Sequence, residues 1–149
     1  MKVLIVFLGI LLMCLSCLVY QADANAYKHN VVLLKEIADE AACQAGLCVD
    51  EEAYGRGVYC FDYAQAAQYA NEYIAAHQDA LKAKLTCDIA CDISFEDDAE
   101  GYSKENKEQK PAVLIRLTAF TEDMFRLAGL KKGKIIAASR YEIEAFGEE

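Results

Sequence analysis

The run Tyr54-Gly55-Arg56-Gly57-Val58-Tyr59-Cys60-Phe61-Asp62 leads directly into Tyr63-Ala64-Gln65-Ala66-Ala67-Gln68-Tyr69-Ala70. Gly55 and Gly57 bracket a turn, and Val58 to Phe61 read as a short apolar strand. Asp62 is a good N-cap for the alanine-rich helix that follows. Turn, strand and helix in that order bring two aromatic rings, Tyr59 and Tyr69, beside bare glycine backbone at one cleft. Two rings hold a flat ligand by offset stacking, and a residue without Cβ lets the backbone approach it closely.

Downstream, the helix extends from Asp62 to about Ala83. Tyr63, Ala67, Ala70, Ile74, His77, Leu81 and Leu85 recur at steps of three and four, which marks its buried stripe. The period then changes to two. Cys87, Ile89, Cys91, Ile93 and Phe95 alternate with polar or small residues, as in a strand with one face covered. Glu96 to Lys110 reads as a charged surface loop, closed by the chain's only proline, Pro111. Ala112 to Thr118 is a strand rich in Val, Leu and Ile. Thr121 to Leu130 reads as a short helix, and Lys134 to Phe146 as a final strand with Tyr141, Ile143 and Ala145 on one face and Glu142, Glu144 and Phe146 on the other. Helices and strands mix without a regular βαβ alternation, so the expected class is α+β.

Upstream, Asn30 to Ala45 has helical periodicity, with Asn30 as expected N-cap and Gly46 where a left-handed C-terminal cap belongs. Before it, Met1 to Ala24 reads as an export signal. Lys2 is followed by Val3 to Tyr20, free of charge, and by Ala22-Asp23-Ala24, which fits a small-residue cleavage site. A retained membrane anchor is the alternative, because 18 apolar residues lie at the lower edge of a span. The expected organisation is therefore a signal segment at 1–24 and one domain at 25–149, secreted or periplasmic, or anchored if the segment stays. The chain's net charge of −9 argues against a phosphate-backbone partner, since no basic patch is available to displace counterions.

Beyond the signal stand Cys43, Cys48, Cys60, Cys87 and Cys91. An oxidising compartment would permit at most two disulfides among them. Four residues on a strand span about 13 Å, so Cys87 and Cys91 cannot pair with each other there. The spacings also leave a four-cysteine zinc site open, though neither pair matches a tight zinc knuckle.

The segment Gly55-Arg56-Gly57-Val58-Tyr59 resembles the glycine-x-glycine-[Ile/Val]-tyrosine stretch of ADP-ribosyltransferases of the diphtheria-toxin and poly(ADP-ribose) polymerase type, in which a histidine, a tyrosine and a glutamate form the catalytic triad. The resemblance implies a split mixed or antiparallel sheet flanked by helices. It makes Tyr59 the middle triad member and Tyr69 a second stacking ring, with Gly55 and Gly57 beside the bound nicotinamide of NAD as co-substrate. His29 is the available histidine. Leu18 to Asp23 resembles the family's first strand as well, with Gln21 where the histidine would stand. Glu142 and Glu144 are the available carboxylates.

What the resemblance implies chemically is that departing nicotinamide leaves positive charge on the ribose, which a carboxylate stabilises, while the histidine sets the sugar's pose. The expected function is an exported mono-ADP-ribosyltransferase acting on an unknown protein acceptor, or an NAD glycohydrolase. A catalytically inactive secreted binding module on the same fold is the alternative, and an RNA 2′-phosphotransferase is a third, opposed by the acidic charge.

Overall fold

The computed structural model describes residues 2–82, 89–121 and 133–143. They form an α+β domain. Helix α1 spans Lys2–Gly46 and α2 spans Glu51–Tyr54. Helix α3 spans Tyr63–Lys82, followed by strands β1 (Ala90–Glu96), β2 (Ala112–Thr121) and β3 (Gly133–Glu142). The strands form an antiparallel meander in the order β1-β2-β3. Ile93 pairs with Ile115, and Ile115 pairs in turn with Ser139.

Helix α1 does not begin at Asn30. It runs unbroken for 45 residues, about 68 Å at 1.5 Å per residue. No glycine or proline stands between Gly9 and Gly46, so nothing in that stretch stops the helix. Asn30 is interior to the helix and 5 % exposed, not an N-cap. Gly46 is the last helical residue, and it is not left-handed; among the described residues the left-handed glycines are Gly57 and Gly101. Its small size serves packing instead: the Tyr141 ring lies where a Cβ would be.

The two halves of α1 differ sharply. Residues from Val3 to Leu18 lie on the surface, with Val3 83 % and Leu4 66 % exposed. Among the described residues this is the candidate membrane span, near the N-terminus and with none of its apolar window buried. The other half buries Leu34, Ile37, Ala38, Ala41, Ala42 and Ala45, a three-four spacing that lays one stripe on the body. That stripe covers β2 and β3, and α3 packs against α1. Both helices bury small residues, Ala38 and Ala42 in α1 and Ala66 and Ala70 in α3, and small side chains let packed backbones approach closely.

The sheet's inner face carries Val113, Ile115, Leu117 and Ala119 from β2 and Ile135 and Ala137 from β3, all buried. Arg116, Phe120, Lys134, Ile136 and Ala138 point away and are exposed. The period-two reading of these strands therefore holds, including Tyr141 inward and Glu142 outward. Thr121 ends β2, and the rest of the helix expected at Thr121 to Leu130 lies outside the described residues, as does Cys87.

In α3 the cap is as expected: Asp62 Oδ1 accepts the Gln65 N–H at 3.0 Å. The buried stripe is Ala66, Ala70 and Ile74. His77, expected in that stripe, is exposed instead. Its ring stacks on Tyr73 with centroids 4.2 Å apart, and Nδ1 lies 2.9 Å from the Tyr73 carbonyl.

Candidate functional site

The glycine turn forms as expected, but its surroundings differ. The residues directly before it, Glu51–Tyr54, form α2, whose N-cap Asp50 accepts the Glu52 and Ala53 N–H groups at 2.9 and 3.1 Å. Gly55 caps α2 with ordinary right-handed angles, whereas Gly57 has φ +80° and so suits a residue without Cβ. Val58 to Phe61 form no continuous strand. Phe61 makes one antiparallel bridge to Val49, with Asp50 N–H donating to Cys60 O and Asp62 N–H to Cys48 O.

The loop expected to be plain surface is the organising feature here. Asp97 is fully buried. Its Oδ1 accepts the Ala99 and Glu100 N–H groups at 3.0 and 2.9 Å. Its Oδ2 accepts the Phe61 N–H at 3.1 Å and the Tyr63 hydroxyl at 2.7 Å. Burial pushes the Asp97 carboxyl up, and these donors outweigh it, so it lies below the ordinary carboxylate value. Glu96 follows the same logic: burial raises it, and Ser103, Asn106 and Arg140 together bring it below the usual value. Asn106 Nδ2 reaches Glu96 Oε2 at 2.8 Å and the Lys110 carbonyl at 2.7 Å, which closes the loop upon itself.

Asp98 and Tyr59 hold each other directly. The Tyr59 N–H donates to Asp98 Oδ2 at 2.9 Å, and the Asp98 N–H donates to Tyr59 O at 3.1 Å. The Tyr102 hydroxyl donates to Asp98 Oδ1 at 2.7 Å. Burial and the Asp98 carboxylate push the Tyr102 phenol upward. The Tyr54 ring meets Tyr59 edge to face, with centroids 5.4 Å apart at 76°.

Tyr59 and Tyr69 line different cavities. Tyr59 shares one of about 360 Å³ with Asp98, Tyr102, Glu108 and Lys110. Tyr69 shares another of about 440 Å³ with Gln44, Leu47, Val49 and Gln65, at the junction of α1 and α3. His29 is on the exposed side of α1, 17 residues before Gly46 and so about 25 Å along the helix from its C-terminal end. Gln21 lies farther along the same helix, not on a strand. Glu142 is exposed at the end of β3, where Arg140 Nε donates to it at 2.6 Å and the same arginine reaches Glu96 at 3.0 Å. Glu144 lies outside the described residues. Neither cavity gathers His29 or Glu142.

Cys43, Cys48, Cys60 and Cys91 are all free thiols, as are Cys14 and Cys17. Among the described residues no group of three or more His, Cys, Asp or Glu side chains could hold a metal.

The chain matches no family model, no curated protein and no solved structure.

The residues that sequence reading passed over are Glu96, Asp97, Asp98 and Tyr102. One signal was present: an acidic triplet directly after a half-buried strand, where uncompensated charge is costly unless donors await it.

Proposed function

We propose that this protein is a single-span membrane protein whose head is a non-catalytic binding or structural module. The observation that carries the reading is the continuity of α1, in which the exposed apolar segment and the core helix are one element. Val3 to Tyr20 cover about 27 Å as helix, close to the ~30 Å hydrocarbon thickness. Twelve of those 18 residues are Val, Leu, Ile or Phe. At mid-membrane values of about 0.3–0.6 kcal/mol each, they favour insertion by about 4–7 kcal/mol. Tyr20 and Tyr27 stand one heptad apart, at the level where aromatic rings meet headgroups.

Cleavage at Ala24 would require a protease to read backbone that is helical on both sides, and this supports an anchor over a removed signal. With no flexible linker between span and head, the head is held at a fixed distance and angle. That suits a scaffold or docking element better than an enzyme that must search for substrate.

The competing reading is an NAD-dependent mono-ADP-ribosyltransferase or NAD glycohydrolase on an ADP-ribosyltransferase-like split sheet. It rests on Gly55-Arg56-Gly57-Val58-Tyr59 alone. One preparation tests both. The full chain, purified from membranes in maltoside, is expected to have the mass of residues from Met1 or Lys2 to Glu149 and to release no nicotinamide from NAD. A soluble product beginning at Asn25 would refute the anchor. Nicotinamide release abolished by Tyr59→Ala would refute the non-catalytic head.

A further inference from the structure

We propose that the cavity beside Tyr59 is a binding site for an organic cation, an alkylammonium or guanidinium group. The inference gives the binding-module reading a ligand class and rests on that reading only for the lack of turnover. Three observations carry it.

The first is aromatic. Tyr59 and Tyr102 both line the cavity and are half-buried, and the face of a phenol ring attracts cations through its quadrupole. The second is pre-organisation. The Tyr59 backbone is held by its two bonds to Asp98 and its ring packs against Tyr54, while the Tyr102 hydroxyl is tied to Asp98 Oδ1. Little side-chain freedom remains to be lost when a ligand enters.

The third is charge. The lining contains two carboxylates, Asp98 and Glu108, against one ammonium, Lys110. Lys110 Nζ already sits 2.6 Å from Glu108 Oε2. The cavity thus retains a net negative charge within a chain of net charge −9, which disfavours a phosphate-bearing ligand and favours a cation. A volume of about 360 Å³ is near the small end of ligand cavities (~300–1,000 Å³) and fits a single headgroup.

The test uses the full chain in maltoside micelles, which carry no ammonium group of their own. Tetramethylammonium is titrated while the ring signals of Tyr59 and Tyr102 are followed by NMR, with tert-butanol as a neutral probe of similar shape. Saturable shifts at both rings with tetramethylammonium and none with tert-butanol are expected. Tyr59→Leu should weaken binding about tenfold, in line with losing one cation–π partner. Lys110→Met, which removes the resident ammonium, should strengthen it about threefold.

Choline and N-acetyl-lysine methylamide then separate a free small-molecule ammonium from a protein side chain as the source, and the tighter of the two identifies it. No saturable shift with tetramethylammonium, equal binding of tert-butanol, or unchanged affinity in both variants would each overturn the site. None of these outcomes bears on the mass or the NAD assay, so the anchor reading is judged separately.

Discussion

Asp97 shows how one buried charge organises the segments around it. It gathers donors from Phe61, Tyr63, Ala99 and Glu100, joining a loop after β1 to the start of α3. Replacing it with Asn turns one acceptor into a donor that faces other donors, so Asp97→Asn should cost about 1–3 kcal/mol at pH 7, read from denaturant midpoints by circular dichroism. The pH dependence follows from the direction of its shift. Folded Asp97 and Glu96 both titrate below their ordinary values, so their stabilisation is fully present above those values, near 4. It is lost as pH falls through the lower folded ones. Melts of the parent chain should therefore drop steeply below about pH 4, and the Asp97→Asn chain should show a shallower acid limb. An equally steep limb in the variant would locate the acid sensitivity elsewhere.

Among the elements, α1 carries the most consequence, and its C-terminal end is its tightest point. Ala is about 1 kcal/mol better than Gly inside a helix, so Gly46→Ala would stabilise α1 taken alone. In the folded chain the added methyl meets the Cδ1–Cε1 edge of the Tyr141 ring, a rigid neighbour that must shift with β3. Overpacking of this kind costs about 1–3 kcal/mol, and the expected result is a lower melting temperature, restored in part by adding Tyr141→Leu. A higher melting temperature for Gly46→Ala alone would show that β3 yields easily. The strands and α3 are legible in the sequence because their periods of two and about 3.6 are local. The start of α1 is not. Asn30 is a strong N-cap type, but capping preference applies only where a helix has reason to begin, and Ala22 to Lys28 give it none to stop.

For the whole molecule, the core takes in α1 only from Asn30 onward, while the span contributes nothing buried. Deleting residues 2–20 should thus release a soluble head whose melting temperature lies within a few degrees of the full chain in detergent. Aggregation of that head, or a large fall in its melting temperature, would mean that the apolar half of α1 belongs to the fold.

The chain's pattern was enough to establish an apolar N-terminal segment, the α+β class, the inward and outward faces of each strand and the cap at Asp62, because each depends on residues within a few positions of one another. Only the tertiary structure decided which side chains meet. Tyr59 and Tyr69 are ten residues apart, yet they face separate cavities. Tyr63 turns inward to Asp97, and Tyr69 lies about 240° farther round the same helix. Asp97, 34 residues beyond Tyr63 in the chain, is instead its hydrogen-bond partner. Such meetings depend on how α1, α3 and the sheet close around their small buried residues, and no local period encodes that closure.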